Sequence, residues 1–194
     1  VPQRLQEAGL QTEGPIAGVN TGMVMLDDQV GAVLRKLEDL GLAENTIVLY
    51  TADHGIPGKG SCHVDGQHLP LVMRWPTGLP AGRVVNEVVS WVDIVPTLAD
   101  ACGVSMPTDH KLDGVSLLAA LNDRADWPRE LAFHEMGWSR SVIKGRWHYI
   151  ATRYPSDTIE SFRKDDEPKV KPGIGQMFDR LNAPFKPGYF DPDQ

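Results

Sequence analysis

An α/β fold is what this amino-acid sequence predicts, on three observations. Met23 to Leu40 repeats apolar residues at helical spacing. Thr46 to Thr51 is a strand-length run of β-branched, aliphatic and aromatic residues without a charge, and beyond it come a loop, two more strand-like runs and a second helix. That order of helix, strand, loop, strand, strand, helix indicates α/β layers. From Glu130 the chain reads as short strands, so a small antiparallel sheet is expected after the α/β region.

Taken in order, Val1 to Gly18 reads as a loop, because Gly9, Gly14, Pro15 and Gly18 interrupt any period. The first helix then places Met23, Leu26, Val30, Val33, Leu34, Leu37 and Leu40 on one face, with Asp27, Asp28, Arg35, Lys36, Glu38 and Asp39 on the other. Its apolar stripe is expected to pack on a sheet, Asp27 and Asp28 to be solvated, and Gly41 to take the left-handed C-cap. Ala43-Glu44-Asn45 turns the chain into a buried strand at Thr46. Gly55 to His68 is a polar, glycine-rich loop, Leu69 to Trp75 a second strand closed by Pro76, and Glu87 to Ser90 a third. Asp93 is placed to cap a helix running to Ala101, with Pro96 in its first turn, where a missing N–H does no harm, and Gly103 at its end.

Pro107 to Pro128 is irregular apart from a helical piece at Ser116 to Leu121. Leu131 to His134, Ser141 to Ile143 and Trp147 to Ala151 are the strands of the small sheet, with Lys144-Gly145-Arg146 as a hairpin turn. Glu160 to Lys171 is a dense charge run, and Pro172 to Gln194 is punctuated by proline and glycine. The expected domain division is therefore 1–125 for the α/β part and 126–194 for the start of a small C-terminal subdomain and tail.

At 194 residues, 41% of them hydrophobic, the chain is long enough for a sizeable core. A net charge of -7 argues against nucleic acid or an anionic membrane as a partner. No apolar run approaches the roughly 20 residues of a spanning helix, and no basic segment leads into an apolar one at the start, so neither a membrane anchor nor a secretion signal is expected within these residues. Cys62 and Cys102 make neither a disulfide framework nor a Cys-x-x-Cys pair.

The residues best placed for chemistry follow the first strand. Ligand sites of open α/β sheets collect at strand ends, and there Asp53 offers a hard oxygen, His54 an imidazole nitrogen, and Gly55 a sharp turn. Lys59 brings a cation to the same mouth. A loop Asp or His is more often a cap or turn residue, so the triplet alone is a weak signal that its place after a strand strengthens. His63, His68, His110, His134 and His148 are scattered, without metal-ligand spacing, and read as surface or packing residues. Gly58-Lys59-Gly60-Ser61 lacks the Gly-x-x-x-x-Gly-Lys spacing and the following helix of a P-loop, which excludes an ATP site of that kind.

In their order, Leu26 to Gly31, a leucine-rich helix, Asn45-Thr46-Ile47-Val48, Asp53-His54-Gly55, Gly58-Lys59-Gly60-Ser61, Leu69-Pro70-Leu71, Trp75-Pro76, Val92 to Leu98 and Asp113 to Leu117 resemble the second half of a type I sulfatase, of the alkaline phosphatase superfamily. The resemblance covers Thr21 to about Leu121, and Trp138 to Ile150 resembles the strand pair of the small C-terminal domain of these enzymes. It implies the second half of an alkaline phosphatase-like sandwich followed by part of an antiparallel subdomain, and an enzyme that cleaves sulfate esters with a formylglycine nucleophile beside a divalent cation. Asp53 and His54 match the second pair of metal ligands, and Lys59 matches a lysine that contacts the sulfate and stabilises the leaving oxygen, which makes it both catalytic and substrate-binding. Calcium is favoured by the resemblance; imidazole ligation brings manganese or zinc closer, and magnesium suits the carboxylate. The substrate class is an aryl sulfate or a sulfated glycan, and a periplasmic or extracellular location goes with the family.

The departures are specific. The family's nucleophile sits in Cys/Ser-x-Pro-x-Arg, and neither Cys62-His63-Val64 nor Cys102-Gly103-Val104 fits. The nucleophile, the first pair of metal aspartates and the arginine beside the nucleophile are thus expected in an N-terminal half outside these residues, as the partner of this chain. Two alternatives stand beside the sulfatase: a phosphonate monoester hydrolase or phosphodiesterase of the same superfamily, and a non-catalytic module that kept the fold.

Overall fold

The computed structural model describes residues 2–14, 16–55, 60–109 and 111–163. Cα packing divides the chain into two compact units, Val1–Val48 with Met73–Ala81, and Leu49–Val72 with Gly82–Gln194.

The first unit opens with a short helix α1, Pro2–Glu7, where the sequence predicts a loop. Six residues are too few to show a helical period, and the helix is held by tertiary contacts: Leu5 is buried, and Arg4 ion-pairs with Asp27 (2.7 Å) and Asp28. Those aspartates, expected to be merely solvated, lie on α2, Ala17–Asp39, which starts six residues before the predicted Met23. Gly41 closes α2 as predicted, at φ +68°, with its N–H bonded to Glu38 O and that of Leu42 to Leu37 O. The apolar stripe departs from expectation. Val30, Leu34 and Leu37 are half-buried, whereas Met23, Leu26, Val33 and Leu40 are exposed; among the described elements α2 packs chiefly on α1 and a 3-10 turn at Ala43–Asn45. That turn is pinned by Arg74, which donates to Ala43 O, and by Thr77, which donates to Glu44 O.

β1, Val48–Thr51, is half-buried throughout rather than fully buried, and it shares a two-stranded sheet with a strand at Leu71–Arg74. Between them the predicted loop contains a one-turn helix α3, Val64–Gln67, before that second strand, β2. Residues 87–90 form no strand: Val88 O instead accepts the indole N–H of Trp127, and Ser90 becomes a helix cap.

The cap is where the second unit is tied together. Ser90 and Asp93 form a capping box at a 3-10 turn, Trp91–Asp93, that runs into α4, Ile94–Ala101. Asp93 thus stands at the N-cap position of α4, as predicted, but its side chain makes no cap bond there: it serves the preceding turn, of which it is the third residue, and it is 0% exposed. One carboxylate oxygen accepts from Ser90 N and Arg129 Nε, the other from Val115 N and Arg129 Nη2. Arg129 also donates to Asp113 O and Leu131 O. Thr97 extends the knot, donating to Asp93 O and accepting from Leu117 N just before α5, Leu118–Leu121. Gly103 ends α4 as predicted.

Three strands complete the unit: β3, Leu131–Met136, β4, Ser139–Lys144, and β5, Trp147–Thr152, antiparallel in the order β3-β4-β5 and each longer than predicted. Alternation gives the sheet two faces. Leu131, Phe133, Tyr149 and Trp147 are exposed on one, with Phe133, Val142 and Tyr149 in a single cross-strand row. Ala132, Ser139 and Ser141 are buried on the other. A buried hydroxyl needs a partner, and Ser139 Oγ finds Thr152 Oγ1 at 2.8 Å. The helix α6, Ser156–Arg163, contains the start of the predicted charge run; the remainder of that run and the proline-rich tail lie outside the described residues.

His134 sits on the inner face of this sheet, beside Ser141. Burial, and then electrostatic repulsion from His148, hold its pKa below the ordinary 6.5. The unfolded chain therefore takes up this proton at a higher pH than the folded one, so stability falls as pH drops below about 6.5 and stops falling below the folded value. The melting temperature should fall between pH 7 and pH 5, and His134→Gln, which cannot take the proton, should flatten part of that fall. Parallel curves for the two proteins would remove His134 from the account.

Candidate active site

Asp53 and His54 stand immediately after β1, where sequence reasoning put them. The Asp53 side chain is 88% exposed and that of His54 27%, with Oδ2 and Nε2 3.7 Å apart. His54 Nδ1 lies 3.1 Å from Gly55 O, and a carbonyl only accepts, so this nitrogen carries the ring proton. The lone pair of Nε2 is then left on the side of the Asp53 carboxylate. Metal-binding imidazoles are commonly oriented in this way, by a hydrogen bond at the other nitrogen.

Gly55 is required by packing. Its N–H donates to Gly66 O at 3.2 Å, and a Cβ placed on it would lie 1.8 Å from Asp65 O. No side chain fits there. The turn that aims Asp53 and His54 is thus clamped against the backbone around α3, which is held in turn by Gly66 N–H to His63 O, His68 N–H to Val64 O and His63 N–H to Ser61 Oγ. Ser61 and Cys62 are buried beneath it. Gln67, the last residue of α3, reaches Ser141 on the small sheet.

Oδ2 and Nε2 suit one cation. A separation of 3.7 Å allows both atoms to touch an ion at about 2.0–2.6 Å, and the pair combines a carboxylate with a neutral nitrogen. Among the described residues no three His, Cys, Asp or Glu side chains gather as a metal cluster. Lys59 lies outside the described residues, as does His110, so the approach of Lys59 to this pair rests on sequence spacing alone. Sequence reasoning missed the Gly66 clamp and the Gln67–Ser141 contact. The one available hint was a Ser-x-Ser alternation inside a strand, at Ser139 and Ser141.

Residues 15–104 match the family model described as sulfatase. Mouse steryl-sulfatase is 34% identical over 63% of this chain and 23% of its own length, and the N-acetylglucosamine-6-O-sulfatase of Bacteroides thetaiotaomicron is 32% identical over 58% of this chain and 22% of its own. Among solved structures, Ps i-CgsB in complex with k-i-k-neocarrahexaose superposes with a TM-score of 0.63 at 24% identity, over 74% of this chain and 36% of that one. BT4656 in complex with its substrate D-glucosamine-2-N,6-O-disulfate does so with a TM-score of 0.58 at 23% identity, over 92% and 43%. The fold is accordingly the alkaline phosphatase-like α/β fold of those structures. Over these residues the chain is similar to sulfatases, and it spans about a quarter of the length of the curated relatives it matches.

Proposed function

We propose that this chain forms part of an enzyme that hydrolyses sulfate esters, and that it contributes one edge of a divalent-cation site. The observation that carries the reading is the pair after β1, a carboxylate oxygen and an imidazole lone pair 3.7 Å apart and open to the surface. A divalent cation, when bound, supplies charge that offsets the negative charge on the sulfate and leaving group. Asp53 holds that ion by charge and His54 by its Nε2 lone pair, while Gly55, clamped to Gly66, sets the direction of both. Lys59 is assigned to the sulfate oxygens and to the oxygen on which charge develops as the ester bond breaks. Calcium is the favoured ion, ahead of manganese and magnesium.

The nucleophile, a formylglycine, and the remaining metal ligands are assigned to residues beyond these 194. Neither cysteine lies in Cys-x-Pro-x-Arg, and the match to each relative covers a minor part of that relative. As substrate class a sulfated sugar is favoured, supported by the N-acetylglucosamine-6-O-sulfatase relative and by the fold neighbour bound to a disulfated glucosamine; an aryl sulfate is the second choice. A periplasmic or extracellular location is proposed with them.

The test is hydrolysis of 4-nitrophenyl sulfate and of a 6-O-sulfated glucosamine by the full-length protein, before and after chelation by EDTA. Chelator-sensitive sulfate release is expected. Hydrolysis of bis(4-nitrophenyl) phosphate in its place would identify a phosphodiesterase, and no turnover of any of them a non-catalytic module. The isolated 194-residue chain is expected to be inactive, and metal-dependent turnover by it would overturn the assignment of the nucleophile elsewhere.

Two substitutions probe the assigned roles. Lys59→Ala should lower kcat/KM by on the order of 100-fold while metal content stays intact, the scale of one preorganised electrostatic group. An unchanged rate would make Lys59 a solvated lysine. Gly55→Ala forces the Asp53–Gly55 turn away from Asp65, and displacement of reacting groups by about 1 Å costs about 100-fold in turnover. Wild-type turnover in that variant would show that the clamp does not aim the site.

A further inference from the structure

Asp53 and His54 are aimed by a turn whose support can be followed across the second unit. Gly55 N–H is bonded to Gly66 O, and the two backbones are too close to admit a methyl group, so the turn and the segment around α3 move together. α3 is a single helical turn, and such a short element is not rigid by itself. What fixes it from the other side is Gln67: its Nε2 donates to Ser141 Oγ at 3.3 Å, and its Oε1 lies 3.4 Å from the same hydroxyl.

Ser141 occupies an inward position of the middle strand and is 2% exposed. An alanine there would satisfy packing without burying a hydroxyl, whose burial is costly unless it is bonded. The hydroxyl has two neighbours, Gln67 and, at 3.5 Å, His134 Nδ1. It accepts from the Gln67 amide, and its single proton has two acceptors in reach, Gln67 Oε1 and His134 Nδ1, so the buried hydroxyl is bonded in both roles.

We propose that Gln67 and Ser141 are positioning residues of the cation site: they dock α3 on the inner face of the β3-β4-β5 sheet, and through Gly66 and Gly55 fix where Asp53 and His54 point. The small sheet is then part of the catalytic apparatus without touching substrate. This proposal rests on the assignment of Asp53 and His54 to a divalent cation.

The experiment uses the full-length protein and its variants Gln67→Met, which keeps side-chain volume, Ser141→Ala and Ser141→Thr. Calcium affinity by titration calorimetry, kcat and KM on 4-nitrophenyl sulfate, thermal melting and hydrogen exchange at the Gly55 amide are measured on each. Gln67→Met and Ser141→Ala should weaken calcium binding and lower kcat by about 10- to 100-fold, the range seen when groups behind metal ligands are removed. KM should change little, Gly55 should exchange faster, and Ser141→Thr, which keeps the hydroxyl, should restore both calcium affinity and kcat. If Ser141→Ala alone fails to melt cooperatively, Gln67→Met decides, since it leaves the sheet intact. Wild-type calcium affinity and kcat in the folded variants would overturn the positioning role and leave the sulfatase reading standing. Wild-type protein that neither binds calcium nor releases sulfate would overturn both.

Discussion

Asp53→Ala, made in the full-length protein, is expected to lose the divalent cation and with it all measurable turnover. The carboxylate is almost fully exposed and adjacent to the His54 lone pair, and alanine leaves no oxygen with which to hold a dication. His54→Ala should weaken the metal less, because it removes a neutral ligand and leaves the charged one in place. Metal content of the purified variants, measured by inductively coupled plasma mass spectrometry beside kcat on 4-nitrophenyl sulfate, checks both. Full occupancy and wild-type rate in Asp53→Ala would remove Asp53 from the site.

The second large effect is on stability. Asp93→Ala should destabilise the second unit by about 3–5 kcal/mol, the cost of leaving one member of a buried ion pair without the other. Asp93 is 0% exposed and the Arg129 side chain 13%, so the carboxylate has no water to replace its partner and the guanidinium little. The same carboxylate bonds the amides of Ser90 and Val115, so its loss also releases the start of α4 and the segment leading to α5. Typical domains are stable by about 5–15 kcal/mol, which makes this a change large enough to unfold a marginal one. Urea titration of the full-length protein, followed by circular dichroism, should show a lower midpoint; a midpoint equal to that of the wild type would mean that the knot at Asp93 is dispensable.

The sequence by itself determined those parts of the protein that depend on near neighbours. α2 and its Gly41 cap are written in a period of apolar residues and one left-handed glycine, and α4 ends at Gly103 for the same reason. The hairpin at Gly145 and the alternation of its strands were equally legible, as was the placing of Asp53 and His54 after β1. Tertiary structure decided what depends on distant partners. Residues 87–90 have strand-like composition, but among the described residues they form no strand and give Val88 O to Trp127 and Ser90 to a capping box. Asp93 is the cap position of α4 that the sequence indicates, but nothing in its surroundings along the chain announces that its carboxylate serves Arg129, 36 residues away. α1 is too short to show a period and is held by Arg4 on two aspartates of α2. The same holds for the support of the candidate site. Gly55 looked like a turn residue, yet its glycine is required by the backbone at Asp65, and Gln67 and Ser141 meet across 74 residues. Local spacing places the candidate groups after β1; where they point is set by contacts between segments that only folding brings together.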